Sequence, residues 1–95
     1  MMTIKYTTRR AASFKKDYKR VKRQGKDMAL LESVITMLCQ GDPLPPKYLD
    51  HALRGGEYEG CRECHIQPDW LLIYRINKGE LELILLYTDS HSNLF

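Results

Sequence analysis

Residues 61–87 read CRECHIQPDWLLIYRINKGELELILLY, and this stretch decides the fold of the chain. Three short segments within it are rich in apolar residues, and polar turn residues separate them. The two turns are Gln67-Pro68 and Asn77-Lys78-Gly79-Glu80. We therefore predict an antiparallel meander of three strands, Cys61–Ile66, Trp70–Ile76 and Leu81–Tyr87.

Apolar residues recur at helical spacing in two stretches before the meander. The first stripe ends at Gly25, while the second follows Asp27, a suitable N-cap, and ends at Gly41. The link between the two helices is short, so they form an antiparallel hairpin. The stripes consist of Ala11, Phe14, Tyr18 and Val21, then Met28, Leu31, Val34 or Ile35, and Leu38.

A short, partly alternating segment, Met2–Tyr6, predicts a strand before the helices, and Thr7 or Thr8 can cap the helix that follows. The predicted order is β-α-α-β-β-β. The fold class is α+β, with a two-helix hairpin packed on an antiparallel sheet. Residues 1–95 form a single domain with one modest core. Residues 42–60 form a loop of a length typical of functional loops.

The net charge of +3 hides a strong asymmetry along the chain. Residues 9–26 contain nine Lys or Arg and one Asp, a local charge of +8, whereas the remainder carries −5. Such a basic segment favours a polyanion, with nucleic acid the obvious candidate. A solvated helix face, or a contact for an acidic protein, is an alternative interpretation.

The chain is expected to be cytoplasmic. No apolar signal region follows the first residues, and no apolar run is long enough to span a membrane. The three cysteines, an odd number, fit reduced thiols better than a disulfide framework.

Titratable residues gather at one end of the predicted sheet. His65 and Asp69 flank the first turn of the meander, and His91 follows its last strand. These positions share one sheet end because successive strands alternate in direction. His51 lies in the long loop.

Two-residue turns would also place Trp70 opposite both His65 and Tyr87, so that the three side chains form a row on one face. A one-residue slip would move the row to the other face. Clustering at one sheet end does not depend on the register.

Three blocks of the sequence resemble the YafQ-type toxins of the RelE/ParE superfamily of toxin–antitoxin modules. They combine His-x-x-Pro-Asp-Trp with an upstream Asp-His and a terminal His-x-x-x-Phe, and the resemblance covers nearly the whole chain. It implies a ribosome-dependent mRNA endonuclease that a cognate antitoxin of the DinJ or RelB kind holds inactive. It also implies a catalytic group of His51, His65, Asp69 and His91, with Trp70 and Phe95 holding the mRNA.

These residue types suit RNA cleavage by attack of the 2′-hydroxyl on the adjacent phosphate. That reaction needs a base, an acid for the leaving 5′-oxygen, and positive charge near the phosphate. Histidine serves as acid or base near neutral pH. We assign the acid to His91 and the base to His51 or His65, while Asp69 orients a histidine or accepts a proton.

RNA binding has its own candidates. Trp70 and Phe95 offer stacking faces for unpaired bases, and Lys47, Arg54 and Arg62 are candidate phosphate contacts. Taken singly, Trp70 is typical of a core residue and Phe95 of a residue that covers a sheet edge.

The chain departs from the family pattern at one point. Some relatives carry an arginine in the last strand, shortly before the Ser/Thr-His pair, where it can stabilise the phosphate. Leu86 and Tyr87 occupy this region here, and Asp89 adds a negative charge. Another cation, or a hydrogen bond from Tyr87, would have to compensate.

Cys61-Arg62-Glu63-Cys64-His65 matches the haem-attachment pattern Cys-x-x-Cys-His and offers zinc ligands. Residues three apart on a strand point to opposite faces, which disfavours both interpretations. We expect no metal and no cofactor.

Two other classes of function remain open. One is a ParE-like toxin that acts on a topoisomerase and does not need the three histidines. The other is a degenerate toxin that only binds an antitoxin. In every case we expect an antitoxin that covers the basic helices and the site.

Overall fold

A computed structural model describes residues 4–95, which fold into two layers. The elements, in chain order, are β1 (Thr7–Arg10), α1 (Ala12–Arg23), α2 (Met28–Cys39), β2 (His51–Ala52), β3 (Arg62–Gln67), β4 (Trp70–Asn77), β5 (Glu82–Asp89) and α3 (His91–Leu94). Two 3-10 turns, Pro46–Tyr48 and Gly56–Tyr58, lie in the long loop. No helix within residues 4–95 is both long and apolar enough to cross a membrane.

The strands form one mixed sheet in the order β1-β5-β4-β3-β2. β3, β4 and β5 make the predicted antiparallel meander, β2 extends it, and β1 adds to β5 in parallel. The α+β class with a helix hairpin on a sheet is confirmed. The parallel pair makes the sheet mixed.

The first strand lies at Thr7–Arg10 and not at Met2–Tyr6, whose first two residues fall outside the described range. The N–H groups of Lys5 and Tyr6 both donate to the Cys39 carbonyl, at 2.8 and 3.0 Å. This ties the segment to the end of α2, so pairing with β5 begins only at Thr7.

The helix boundaries follow local backbone chemistry. Because residues 7–10 belong to β1, neither Thr7 nor Thr8 caps α1, and Ala11 occupies the N-cap without a side-chain hydrogen bond. Asp27 caps α2 as predicted, since its Oδ1 accepts from the Ala29 N–H at 3.1 Å. Gly25 follows α1 with φ +83°, a conformation that glycine adopts without strain.

One face of the sheet packs against α1 and α2 to form the core. Each large apolar side chain buried there contributes about 1.5–3 kcal/mol, which makes this face a rigid support for the opposite one. The fully buried members are Phe14, Val21, Leu31, Val34, Trp70, Leu72, Leu83 and Leu85.

The observed registers differ from those predicted with two-residue turns. His65 lies opposite Leu71, and Tyr87 lies opposite Ile73, so neither faces Trp70. The predicted row across the sheet is therefore wrong. Strand alternation assigns Trp70 to the helix-covered face and His65 to the opposite face.

Both the turns and the strand pairing cause this difference. The β3–β4 turn consists of Pro68-Asp69 and not of the predicted Gln67-Pro68. The chain uses four residues, 78–81, to connect β4 to β5. The pairing also shifts by one residue after His65 in β3 and after Ile73 in β4. Each shift is a bulge that redirects the side chains beyond it.

Candidate active site

A carboxylate lies between two of the histidines on the sheet face that points away from the helices. His51 in β2 pairs with Glu63 in β3, and His65 follows two residues later on the same face. Glu63 Oε1 is 3.6 Å from Nε2 of each ring. Glu63 is only 4% exposed. The structure thus brings His51 and His65 together around a buried acid.

The sequence interpretation missed Glu63. A usable signal was present, because Glu63 and His65 are two residues apart on a strand and must share a face. A carboxylate buried on that face requires a charged or hydrogen-bonding neighbour.

Backbone carbonyls orient both histidine rings. His51 Nδ1 is 2.8 Å from the Leu49 carbonyl oxygen, and His65 Nδ1 is 3.3 Å from the Pro68 carbonyl oxygen. A carbonyl only accepts a hydrogen bond, so each Nδ1 carries the proton in the neutral ring. Nε2 is then the nitrogen that takes up a proton, and it faces Glu63.

The turn between β3 and β4 joins this group to the third histidine. Pro68 contacts His65, and the next residue, Asp69, accepts the backbone N–H of His91 at 3.3 Å. Ser90 caps α3, which holds the His91 ring at the exposed end of the sheet. The clustering of His65, Asp69 and His91 at one sheet end follows the meander, as the sequence predicts.

Aromatic rings extend the site along α3. Phe95 is half exposed (51%), and its ring centroid lies 5.1 Å from both His91 and Tyr58. Tyr58 also meets Tyr87 edge-on at 6.0 Å and donates to the Leu94 carbonyl at 3.0 Å. Burial raises the pKa of Tyr58, so this phenol stays a donor. Phe95 therefore keeps an open face beside His91, and Tyr58 is a further member that the sequence interpretation missed.

Trp70 does not offer such a face. It is 0% exposed, and its indole Nε1 donates to Thr88 Oγ1 at 2.8 Å beneath the sheet. The prediction that Trp70 stacks on RNA is corrected here, because the ring belongs to the core. Its fixed position beside Asp69 supports the β3–β4 turn.

The three candidate phosphate contacts lie in different places. Lys47 is exposed and lines a groove together with His65. Arg54 lines another groove with Lys78, at the far end of β4, so it lies away from the histidines. The Arg62 guanidinium pairs with Asp50, with Nε 2.7 Å from Oδ1. Of these residues, Lys47 alone lies beside the site.

Asp50 connects the His51 strand to the sheet. Its two carboxylate oxygens accept hydrogen bonds from Arg62 and from the Tyr74 hydroxyl. Tyr74 is buried (1% exposed), and burial followed by the hydrogen bond to Asp50 raises its pKa well above the ordinary value. This network fixes the backbone immediately before His51.

Tyr74→Phe removes one hydroxyl from the network. We expect it to lower the free energy of unfolding by about 1.5–3 kcal/mol, the range for hydrogen bonds to charged groups. We also expect slower RNA cleavage, because the strand that carries His51 loses an anchor. Urea unfolding and cleavage rates measure the two effects. Tyr18→Phe is the control, since Tyr18 also donates to a carboxylate, Glu32 at 3.0 Å, but lies on α1. An equal loss of activity in both variants would contradict the role of Tyr74.

The negative charge of Asp89 is neutralised inside the fold. Arg20 of α1 forms an ion pair with Asp89 and also bonds Asp17 at 2.7 Å. Asp89 further accepts from the Ser90 N–H at 2.7 Å and from Asn93 Nδ2 at 3.1 Å. Asp89 thus anchors the start of α3, and Arg20 neutralises it without replacing the phosphate-binding arginine that some relatives carry.

These contacts link stability to pH. Burial by itself raises the pKa of Asp89, but the hydrogen bonds from Ser90 and Asn93 and the charge of Arg20 outweigh it, so the pKa is lowered. The stabilisation is therefore present above about pH 4, the ordinary range for Asp, and is lost as pH falls through the lower folded-state pKa.

Asp89→Asn should destabilise the protein by about 2 kcal/mol at pH 7, because charge-assisted hydrogen bonds are lost. The difference from the wild type should shrink below pH 4. Urea unfolding at pH 7 and pH 3 measures both values. Asp42→Asn, in an exposed loop, is the control and should change neither. A destabilisation that stays constant with pH would contradict the linkage.

The cysteines and His65 do not form a common ligand set. Cys64 is buried in the core, where burial raises its pKa, and His65 lies on the opposite face of β3. Among residues 4–95, no group of three or more His, Cys, Asp or Glu side chains is arranged to hold a metal ion.

The α+β fold, with a helix hairpin on a mixed sheet, matches solved structures of bacterial toxins. Residues 5–95 match the family model of the bacterial toxin of type II toxin–antitoxin systems, YafQ. The chain belongs to the YafQ family.

Similar proteins cover almost the whole chain. The mRNA interferase toxin YafQ of Escherichia coli K12 is 36% identical over 86 residues, 90% of each chain. A YafQ structure in the E. coli DinJ–YafQ toxin–antitoxin complex has a TM-score of 0.86 at 34% identity, covering 97% of this chain and 99% of that one. A metal-bound toxin from Helicobacter pylori has a TM-score of 0.85 at 43% identity, covering 100% of both chains.

Proposed function

We propose that this protein is the toxin of a type II toxin–antitoxin module, an endoribonuclease that cuts mRNA in the ribosomal A site and so stops translation in the cytoplasm. The observation that carries the proposal is the approach of His51 and His65 to Glu63 on one sheet face, with the turn after β3 linking His65 to Asp69 and to the backbone N–H of His91. Membership of a family with mRNA interferases supports the same activity.

The base is one of the two histidines beside Glu63. Carbonyl contacts leave Nε2 of His51 and of His65 ready to accept the proton of the 2′-hydroxyl. The imidazolium that forms then faces the Glu63 carboxylate at 3.6 Å. That carboxylate stabilises the positive charge as it develops and holds the ring in position.

The acid is His91. Its ring is exposed at the start of α3, so it can reach the leaving 5′-oxygen of a bound strand. Asp69 acts as a positioning residue, because it accepts the backbone N–H of His91 and fixes the start of the helix. The exposed ring of Phe95 gives a base next to His91 a stacking face.

The basic segment at residues 9–26 supports docking on ribosomal RNA. All nine of its cations lie on exposed or half-buried positions of β1, α1 and the α1–α2 link, and three of them pair with carboxylates of the fold, namely Arg9, Arg10 and Arg20. A local charge of this size binds phosphates without reading sequence, and the binding weakens with salt. We expect an acidic antitoxin of the DinJ type to cover this surface and the site.

The test is a primer-extension map of cleavage on ribosomes programmed with a defined mRNA. Discrete cuts within A-site codons, absent after addition of the antitoxin, are the expected result. Cuts on free RNA only would overturn the ribosomal part of the proposal. An absence of cuts from a toxic wild-type protein would favour a ParE-like target, and an absence of both cuts and toxicity would favour a degenerate toxin.

A further inference from the structure

A surface groove of about 370 Å³ opens beside His65, between the start of α2, the first 3-10 turn and the end of β3. We propose that this groove binds one unpaired nucleobase of the RNA that flanks the scissile phosphate; the inference rests on the proposed function. We term it the Leu49 groove. Its apolar walls are Leu30, Tyr48, Leu49, Ile66 and Pro68.

The walls expose apolar surface that folding alone does not explain. Leu49 is 60% exposed and Leu30 is 38% exposed. Leu49 also adopts a left-handed backbone conformation, with φ +51°. That backbone conformation lowers the stability of the fold by about 1–2 kcal/mol for a leucine. The exposed side chain offsets little of this, because it buries little apolar surface. Leu81 has a similar exposure and the same conformation, so what distinguishes Leu49 is its position beside the histidines.

The groove connects to both candidate bases. His65 lies in its wall, and the carbonyl of Leu49 is the group that orients the His51 ring at 2.8 Å. An RNA strand that reaches the His65 ring from the solvent side therefore has the groove as its immediate neighbour. The next group along an RNA strand on either side of a phosphate is a ribose with its base.

The charge of the lining permits RNA in the Leu49 groove, because its described lining contains the cation Lys47 and no carboxylate. A second groove is more positive, since Arg54, Arg62 and Lys78 line it together with Glu59. Among residues 4–95, that groove has no histidine in its lining, whereas His65 lies in the wall of the Leu49 groove. The position beside His65 therefore selects the Leu49 groove.

The polar groups at the rim suit a base. Lys47 Nζ lies 5.1 Å from the ring centroid of Tyr48, where it can also approach a phosphate. Gln67 is exposed at the mouth, and its amide both donates and accepts, as reading a base edge requires. Apolar walls with one amide at the rim fit a base better than a fully charged ligand.

The test compares Leu49→Ala with Leu81→Ala. Both leucines are exposed, at 60% and 50%, and both have left-handed backbones, with φ +51° and +50°. The two substitutions therefore remove the same apolar side-chain atoms from the same backbone conformation. Leu81, however, lies in the β4–β5 turn at the opposite sheet end. Any effect specific to Leu49 reports on the groove.

On programmed ribosomes we expect Leu49→Ala to raise KM about tenfold, the size of one lost base contact, with kcat little changed. Leu81→Ala should match the wild type. A direct probe is 2-aminopurine in the A-site codon of an mRNA with a 2′-deoxy residue at the cut, which prevents cleavage. Its fluorescence should change on binding the wild type and Leu81→Ala, and change less with Leu49→Ala.

An unchanged KM and an unchanged fluorescence response in Leu49→Ala would overturn the subsite. So would weaker antitoxin binding without an effect on KM, because the groove would then hold an antitoxin side chain. Failure of the wild type to cut programmed ribosomes would overturn the proposed function itself. A second variant, Gln67→Glu, adds a carboxylate at the mouth and should shift which codons are cut. An unchanged codon distribution would contradict a base-reading role for Gln67.

Discussion

Replacing His91 by alanine should lower the rate of RNA cleavage by about 10²–10⁴-fold, the usual contribution of a general acid. His91 is exposed at the first position of α3, and the contact with Asp69 uses its backbone N–H, which alanine keeps. Stability should therefore remain within about 0.5 kcal/mol of the wild type. Single-turnover cleavage on programmed ribosomes measures the rate, and urea unfolding measures the stability.

Ser92→Ala is the matched control, because Ser92 is an exposed neighbour on the same short helix. It should cleave at nearly the wild-type rate. The wild-type pH–rate profile should lose its limb at high pH in His91→Ala, since that limb reports the acid. A fast His91→Ala variant would remove His91 from the mechanism, and equal losses in both variants would point to a folding defect of α3.

Glu63→Gln should slow cleavage by about 10–100-fold without lowering stability. Glutamine has nearly the same shape but lacks the charge that faces Nε2 of His51 and His65 at 3.6 Å. The imidazolium formed when the base takes its proton then loses its stabilising partner. Glu63 is 4% exposed, and burial penalises a carboxylate more than the neutral amide of similar shape that replaces it.

The measurements are kcat, KM and the pH dependence of kcat on programmed ribosomes, with unfolding in parallel. We expect the effect in kcat, because Glu63 acts through a histidine and does not contact the substrate. Glu82→Gln is the control. Glu82 is a half-buried strand carboxylate that pairs with Arg9 at 3.6 Å, far from the histidines. A wild-type pH profile and rate in Glu63→Gln would show that Glu63 has only a structural role.

The sequence alone determined the two helices, the strand meander and the sheet end at which Asp69 and His91 lie. Helical spacing, Asp27 and Gly25 set the two helices, and the turn residues near Pro68 set the meander, with the turn itself one residue later than predicted. The meeting of Asp69 with His91 follows, because alternate strand ends share one sheet edge. These signals are local, so a single sequence contains them. The resemblance to the YafQ-type toxins added the family, which the family model bears out.

Only the tertiary structure decided which face each side chain takes and which charges are paired. Bulges in β3–β4 and β4–β5 shifted the register. Trp70 shares the helix-covered face with Leu72 and Tyr74 and therefore lies in the core. The pairing of Arg20 with Asp89 joins residues 69 positions apart. Register depends on the packing of a whole sheet, and ion pairs depend on contacts between distant segments. Neither the register nor an ion pair leaves a local pattern in the chain. A sequence therefore reveals the sheet end at which the titratable residues lie, but it does not reveal the partner of each residue.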